Sequence, residues 1–175
     1  MGSSKSLRLL IQKHDLEAQG KKVLVIKPDN DTRDGQWVKS RIGLKCKVDL
    51  MWYNDYSVEV SGIKWTDYDF ILADEVQFFK YQIRILRKIT LEHNIPVTCY
   101  GLKTDFKGEL FYGSRELLSL ADEIEEIPTI CKKCLNKATF NMRIDKDGKK
   151  VTEGPQVDVG GDEKYIGVCA DCYYA

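Results

Sequence analysis

An α/β fold with a mainly parallel sheet, followed by a small β lobe, is what this 175-residue sequence predicts. Two observations carry it. Short apolar runs alternate with amphipathic helical stretches over the first part of the chain, the order expected of a parallel sheet with crossover helices. After about Ile127 the pattern gives way to short alternating strands and turns, framed by two close cysteine pairs. The change divides the chain into residues 1–126 and 127–175.

The elements follow in order. Leu7, Leu10, Ile11 and Ala18 recur at helical spacing and Gly20 closes the run, which predicts a helix with a glycine stop. "KKVLVIKP" predicts a short buried strand closed by Pro28, and the polar "DNDTRDGQ" a loop. "KCKVDLMWY" reads as one further strand. "YDFILAD" is a buried strand ending in acid. Phe79, Ile83, Leu86 and Thr90 mark one face of a helix that stops near Asn94. "IPVTCYGL" gives the next strand, and a shorter helix runs from about Phe111 to Ala121. In the second part Ala138, Phe140, Met142 and Ile144 alternate with polar residues, and "DKDG" supplies a hairpin turn.

Bulk properties narrow the function. Lysine plus arginine number 27 and aspartate plus glutamate also 27, so charge gives no general reason to expect nucleic acid or an acidic membrane as partner. No run of about 18 apolar residues exists to span a membrane. The first residues are too polar for a signal peptide, so a cytoplasmic protein is expected. The two histidines, His14 and His93, both fall in helical stretches, which leaves a histidine-based mechanism little to work with.

Three stretches carry candidate chemistry. "SSKS" before the first helix fits the end of a phosphate-binding P-loop, G-x-x-x-x-G-K-[ST], with Lys5 and Ser6 in register and Ser4 where glycine belongs. A plain helix-capping sequence is the other reading. "DFILADEVQFF" places Asp74 and Glu75 at a strand end. In an extended chain they face opposite sides, one towards a metal and the other towards a substrate hydroxyl as general base. A solvated acidic strand end is the alternative. Arg33 in "NDTRD" suits a phosphate, or is a charged loop residue without a role.

Cys131 with Cys134, and Cys169 with Cys172, form two C-x-x-C knuckles 34 residues apart. They suit a closed, structural four-thiolate zinc site, with disulfides as the alternative in an oxidising compartment. Cys46 and Cys99 read as inert core thiols.

Taken together, "GKKVLVIKPDNDTRDG", "SRIG", "DEVQFF", "YGLKTDF", "LFYGS", "LADEIEEI", "CKKC", "VGGDEKY" and "CADC" resemble, in order, the type II or cellular-type thymidine kinase family, and its bacterial and phage branch in particular. The resemblance implies a RecA-like P-loop core and a zinc-ribbon lobe carrying a lasso loop. It implies transfer of the γ-phosphate of ATP to the 5′-hydroxyl of thymidine or deoxyuridine, with structural Zn2+ and with Mg2+ accompanying ATP. Glu75 is then the base. Gly2, Ser3, Ser4, Lys5, Ser6, Asp31, Arg33, Asp74 and Gln77 serve the nucleotide and its magnesium. Met1, Phe78, Leu102, Phe106, Phe111 and Asn141 take the nucleoside, although the aromatic and leucine positions read unaided as core.

The lasso covers Gln156 to Tyr165, with Gln156, Val157, Asp158, Val159, Gly160 and Tyr165 against the substrate. It recognises the base largely through backbone groups, and Gly160 and Gly161 suit such a close approach. Clamped by the zinc, it belongs to a family of homotetramers.

The family carries an apolar strand and more of the loop ahead of the position of Met1, so the resemblance implies a P-loop cut within its length. Ser4 in place of glycine leaves room for a nucleotide-binding relative without transfer activity. A zinc ribbon that binds nucleic acid ranks behind it, because acids such as Asp145 and Asp147 dilute the lysines of the lobe.

Overall fold

The computed structural model describes residues 4–31, 34–53, 62–158 and 163–175. Helix α1 (Lys5–Ala18) opens the chain and ends before Gly20, which takes φ 77°. Strand β1 (Val23–Pro28) is buried along its whole length. Strands β2 (Trp37–Lys39) and β3 (Lys45–Lys47) form an antiparallel hairpin, followed by β4 (Leu50–Trp52). Strand β5 (Phe70–Ala73), helix α2 (Gln82–His93), strand β6 (Val97–Cys99) and helix α3 (Tyr112–Leu120) complete the first part. The sheet runs β4-β1-β5-β6 with every neighbouring pair parallel, so the predicted α/β architecture stands.

Alternation along the strands assigns each residue to one of two apolar layers. Leu24, Ile26, Ile71 and Ala73 pack with Ile83, Leu86 and Ile89 of α2. Val23, Val25 and Leu72 face the opposite way, onto Leu9 and Leu10 of α1. Burial on both faces explains why these strands read as unbroken Val/Ile/Leu runs.

Two expectations shift. "KCKVDLMWY" is not one strand, because the chain changes partner at Asp49. The Asp49 carboxylate accepts from the Val25 N–H at 2.8 Å, and the Asp49 N–H donates to the Val25 carbonyl at 2.9 Å. That takes up the β1 backbone between the hairpin and β4. Phe79, expected on the helix, precedes it: it ends a 3-10 turn (Val76–Phe78) and packs edge-on to Trp52. The helix itself stops at Asn94, in the left-handed conformation, as the sequence suggests.

The second part holds two small antiparallel pairs. Strand β7 (Thr129–Ile130) pairs with β8 (Lys137–Ala138), and β9 (Phe140–Arg143) with β10 (Tyr165–Val168). A short helix α4 (Ala170–Tyr174) closes the chain, with Cys169 as its first flanking residue. The expected turn at 145–148 is present, with Gly148 at φ 76° and its N–H bonded to the Asp145 carbonyl at 3.1 Å. Ala138, Met142, Val168 and Tyr173 make the core of this part together with Cys131 and Cys169.

Helix α3 lies so close to the 3-10 turn that only glycine fits at position 113. A Cβ there would stand 2.2 Å from the Val76 carbonyl oxygen and 2.8 Å from that of Phe79. We expect Gly113→Ala to lower stability by about 1–3 kcal/mol, the usual cost of overpacking. A shifted urea midpoint at unchanged m-value measures it. An unmoved midpoint would show that the turn yields freely.

Candidate active site

Parallel strands end on one side, and there the loops after β1, β5 and β6 meet. Asn30 and Asp31 follow β1; Glu75, Gln77 and Phe78 follow β5; Leu102, Thr104, Asp105 and Phe106 follow β6. With Phe111 they form one wall of a cleft enclosing about 600 Å³ of space open to solvent. Asn141, Gln156, Val157, Asp158 and Tyr165 of the second part form the other. A crevice beyond the carboxyl ends of the strands is where open α/β sheets bind ligands.

The acidic pair sits where β5 stops. The chain there is not extended, since Glu75 takes φ 50° and ψ 36°, a left-handed conformation costly for a residue with a Cβ. That turn, rather than strand alternation, separates the two carboxylates. Glu75 lines the cleft, and its Oε2 accepts from Gln77 Nε2 at 2.5 Å. Gln77 Oε1 accepts in turn from the Leu102 N–H at 3.0 Å, so the loop after β6 holds the amide that orients Glu75. Asp74 is buried, and its Oδ1 accepts from the Glu75 N–H at 3.0 Å. Burial first, then the neighbouring Glu75 charge, push the Asp74 carboxyl up to about 7 against the pull of Lys5 and Lys27.

Lys27 was invisible to sequence reasoning as a site residue, lying inside an apolar strand. It is 1 % exposed, and its Nζ pairs with Asp31 Oδ2 at 2.9 Å. The same ammonium reaches the carbonyls of Gly35 and Trp37 at 3.4 Å. Removing one partner of such a buried pair typically costs about 3–5 kcal/mol. Lys27 therefore ties Asp31 and the Gly35 and Trp37 carbonyls to the end of β1.

Ahead of α1, Ser4 takes φ 52° and ψ 20° and makes no side-chain capping bond. A capping serine has an extended backbone and bonds the first amides of the helix; Ser4 does neither. Its carbonyl accepts the first helical bond, from the Arg8 N–H at 2.9 Å. Position 4 thus has the backbone a glycine adopts freely, at a cost to serine of about 1–2 kcal/mol.

On the opposite wall, Asp158 is held by Lys164 at 2.8 Å and by Arg143, and both draw its carboxyl below the usual range, the Lys164 hydrogen bond most. The Tyr165 hydroxyl donates to the Asp158 carbonyl at 2.9 Å. Asn141 Nδ2 donates to the Thr104 carbonyl at 3.1 Å, and Gln156 Nε2 to Asp105 Oδ2 at 2.9 Å. Asp105, buried and absent from the sequence-based candidates, thereby ties the two walls together. Its other oxygen accepts the Lys107 and Glu109 N–H groups, a local turn closed by the aspartate side chain.

The four paired cysteines come together. The Sγ atoms of Cys131, Cys134, Cys169 and Cys172 all lie within 4.8 Å of one another, and none of the six cysteines is bridged. Tetrahedral ligation at a Zn–S distance of about 2.3 Å needs sulfurs roughly 3.8 Å apart. The donor set and its spacing fit a metal ion. Burial raises the Cys131 thiol, but N–H groups of Cys169, Lys133 and Cys134 outweigh it and bring it down to about 6, while the Cys134 hydrogen bond pushes Cys172 up to about 12. Burial instead pushes Cys46 and Cys99 up to about 11 and about 12, which leaves them protonated.

Of the sequence-based candidates, Asp31, Glu75, Gln77, Phe78, Leu102, Phe106, Phe111, Asn141, Gln156, Val157, Asp158 and Tyr165 line this one cleft. Lys5 acts on Asp74 electrostatically from the start of α1, where Ser6 also lies. Met1, Gly2, Ser3, Arg33, Val159 and Gly160 lie outside the described residues.

The comparisons with known proteins agree with one another. The family profile for "Thymidine kinase" matches residues 1–173. A thymidine kinase of Streptococcus gordonii is 42 % identical over 183 residues, covering 99 % of this chain and 92 % of the relative. One from Chromobacterium violaceum is 40 % identical over 176 residues, covering 99 % and 94 %. A third, from Lactobacillus acidophilus, is 42 % identical over 184 residues, covering 99 % and 92 %.

Asp74 gives the metal-free protein a pH signature. Between its ordinary value of about 4 and about 7 the folded state binds the extra proton, so this group removes stability as pH rises through that window and adds no slope above it. Urea titrations at pH 5 and pH 8 without magnesium should show a larger loss for the unaltered chain than for Asp74→Asn, by at most about 1.4 kcal/mol per pH unit inside the window. Equal losses would mean that Asp74 is already ionised at pH 5.

Proposed function

This chain belongs to the thymidine kinase family, and from that premise we propose that it transfers the γ-phosphate of ATP to the 5′-hydroxyl of thymidine or deoxyuridine. The observation that carries the reading is the convergence of an oriented carboxylate, Glu75, with an apolar slot walled by Phe78, Leu102, Phe106 and Phe111. A flat pyrimidine suits such a slot, with Phe78 and Phe111 edge to face at 5.9 Å.

In this reading residues 1–126 are the kinase core and residues 127–175 the metal lobe with its lasso. The nucleoside lies between Phe106 and the segment from Gln156 onward, its 5′-hydroxyl towards Glu75. Glu75 accepts the hydroxyl proton as the oxygen attacks phosphorus, and Gln77 keeps that carboxylate aimed. Lys5, Ser6 and Arg33 hold the phosphates, with Asp31 beside them; the catalysis is mostly positioning and charge neutralisation. Magnesium, a hard ion suited to oxygen donors, supplies that neutralisation when bound, with Asp74 and Ser6 as its protein oxygens.

Zinc held by the four thiolates would have no open position left and would be structural. It clamps the two ends of the lasso segment. No described helix is long and apolar enough to cross a membrane, and we infer a cytoplasmic homotetramer from the family likeness. Ser4 favours one second reading, a relative that binds nucleotide and nucleoside without turnover, because a strained serine sits where the phosphate loop has glycine.

Thymidine- and magnesium-dependent ATP turnover is the first test. Turnover supports the kinase; thymidine binding without product supports the second reading. Glu75→Gln should lower kcat by at least about a hundredfold, the lower bound for a lost general base, and leave thymidine affinity nearly intact. Unchanged turnover would remove Glu75 from the role. Elemental analysis should return one zinc per chain, and substituting Cys172 by serine should reduce it; a metal-free, folded and active chain would overturn the zinc assignment.

A further inference from the structure

The lobe touches the cleft through a residue that neither the metal nor the reaction explains. Tyr173 follows Cys172 in α4, is 4 % exposed, and stacks on Phe140 with ring centres 4.5 Å apart. Lys150 Nζ lies 3.9 Å from the centre of its ring. Its hydroxyl crosses to the first part of the chain and donates to the Phe106 carbonyl at 2.6 Å. Phe106 lies in the turn closed by the Gly108 N–H on the Asp105 carbonyl at 3.3 Å, and lines the cleft.

We propose that Tyr173 is a positioning residue for the nucleoside: its hydroxyl fixes the Phe106 turn, so the short helix that carries Cys169 and Cys172 sets one wall of the base slot. The inference rests on the kinase reading for the identity of the ligand. Its physical basis stands apart from it. A buried carbonyl stripped of its donor loses a hydrogen bond and keeps its desolvation cost, so the turn relaxes towards water. Aromatic stacking on Phe140 does not need the hydroxyl. The oxygen therefore has a task separate from packing the lobe.

Tyr173→Phe in the full chain isolates that task. With zinc content unchanged, the variant should raise the thymidine KM about fivefold, the weight of one hydrogen bond near 1 kcal/mol, and leave the ATP KM unchanged. Hydrogen exchange across residues 104–110 should quicken. A thymidine KM that stays put, a parallel rise in both KM values, or a loss of zinc would overturn the proposal in favour of a purely structural tyrosine. If the unaltered chain turns over no thymidine, the kinase reading has failed and exchange alone decides. Quicker exchange at 104–110 upholds the link from Tyr173 to the Phe106 turn, and unchanged exchange refutes it.

Discussion

Burial of a parallel sheet on both faces is the constraint from which the rest of the molecule follows. Helix α1 covers one side of β1 and β5, and helices α2 and α3 the other. A strand sealed above and below presents polar groups only at its ends, and parallel direction puts the carboxyl ends together. The loops leaving Pro28, Ala73 and Cys99 thus have one place to meet. Asp74 and Glu75 are the first polar residues after β5.

Gathering acids at a dry edge is expensive, and the structure offsets it in two ways. Lys27 comes up through the core to neutralise Asp31, and amide groups serve the rest: the Glu75 N–H on Asp74, the Gln77 side chain on Glu75, and two backbone N–H groups on Asp105. What is left over appears as strain and as a displaced proton equilibrium. Ser4 and Glu75 hold left-handed backbones, one just before α1 and one just after β5, and the Asp74 carboxyl is pushed well above the ordinary range. Such concentrations of cost mark functional positions more often than scaffolding.

Much of this was legible in the sequence, and the boundary of legibility is physical. Unbroken apolar runs announced β1 and β5, and glycine or asparagine stops announced the ends of α1 and α2. The cysteine spacing announced the cluster. What stayed hidden depends on partners that only the folded backbone brings together. Lys27 looks like an interruption of a strand until Asp31 folds back on it. Asp49 ends one pairing and starts another only because Val25 is adjacent. Phe78, Leu102, Phe106 and Phe111 have the composition of core residues, and only the resemblance separated them from it. Asp105 and Tyr173 join elements 51 and 67 positions away, separations at which no local pattern reports.

The joint at Asp49 has a mechanical meaning. Both the backbone N–H and the carboxylate of Asp49 engage Val25, so β4 enters the sheet in a register set by that clamp and not by the hairpin before it. Val38 and the Trp37 carbonyl tie the base of the β2–β3 hairpin to the core and to Lys27, and only its tip stands apart from that register. Residues can be gained or lost at its tip, between Lys39 and Lys45, without sliding β4 along β1, because a slip of one residue would have to break two bonds at once. A change of length there would stay at the rim while the sheet that aims the carboxylates keeps its alignment.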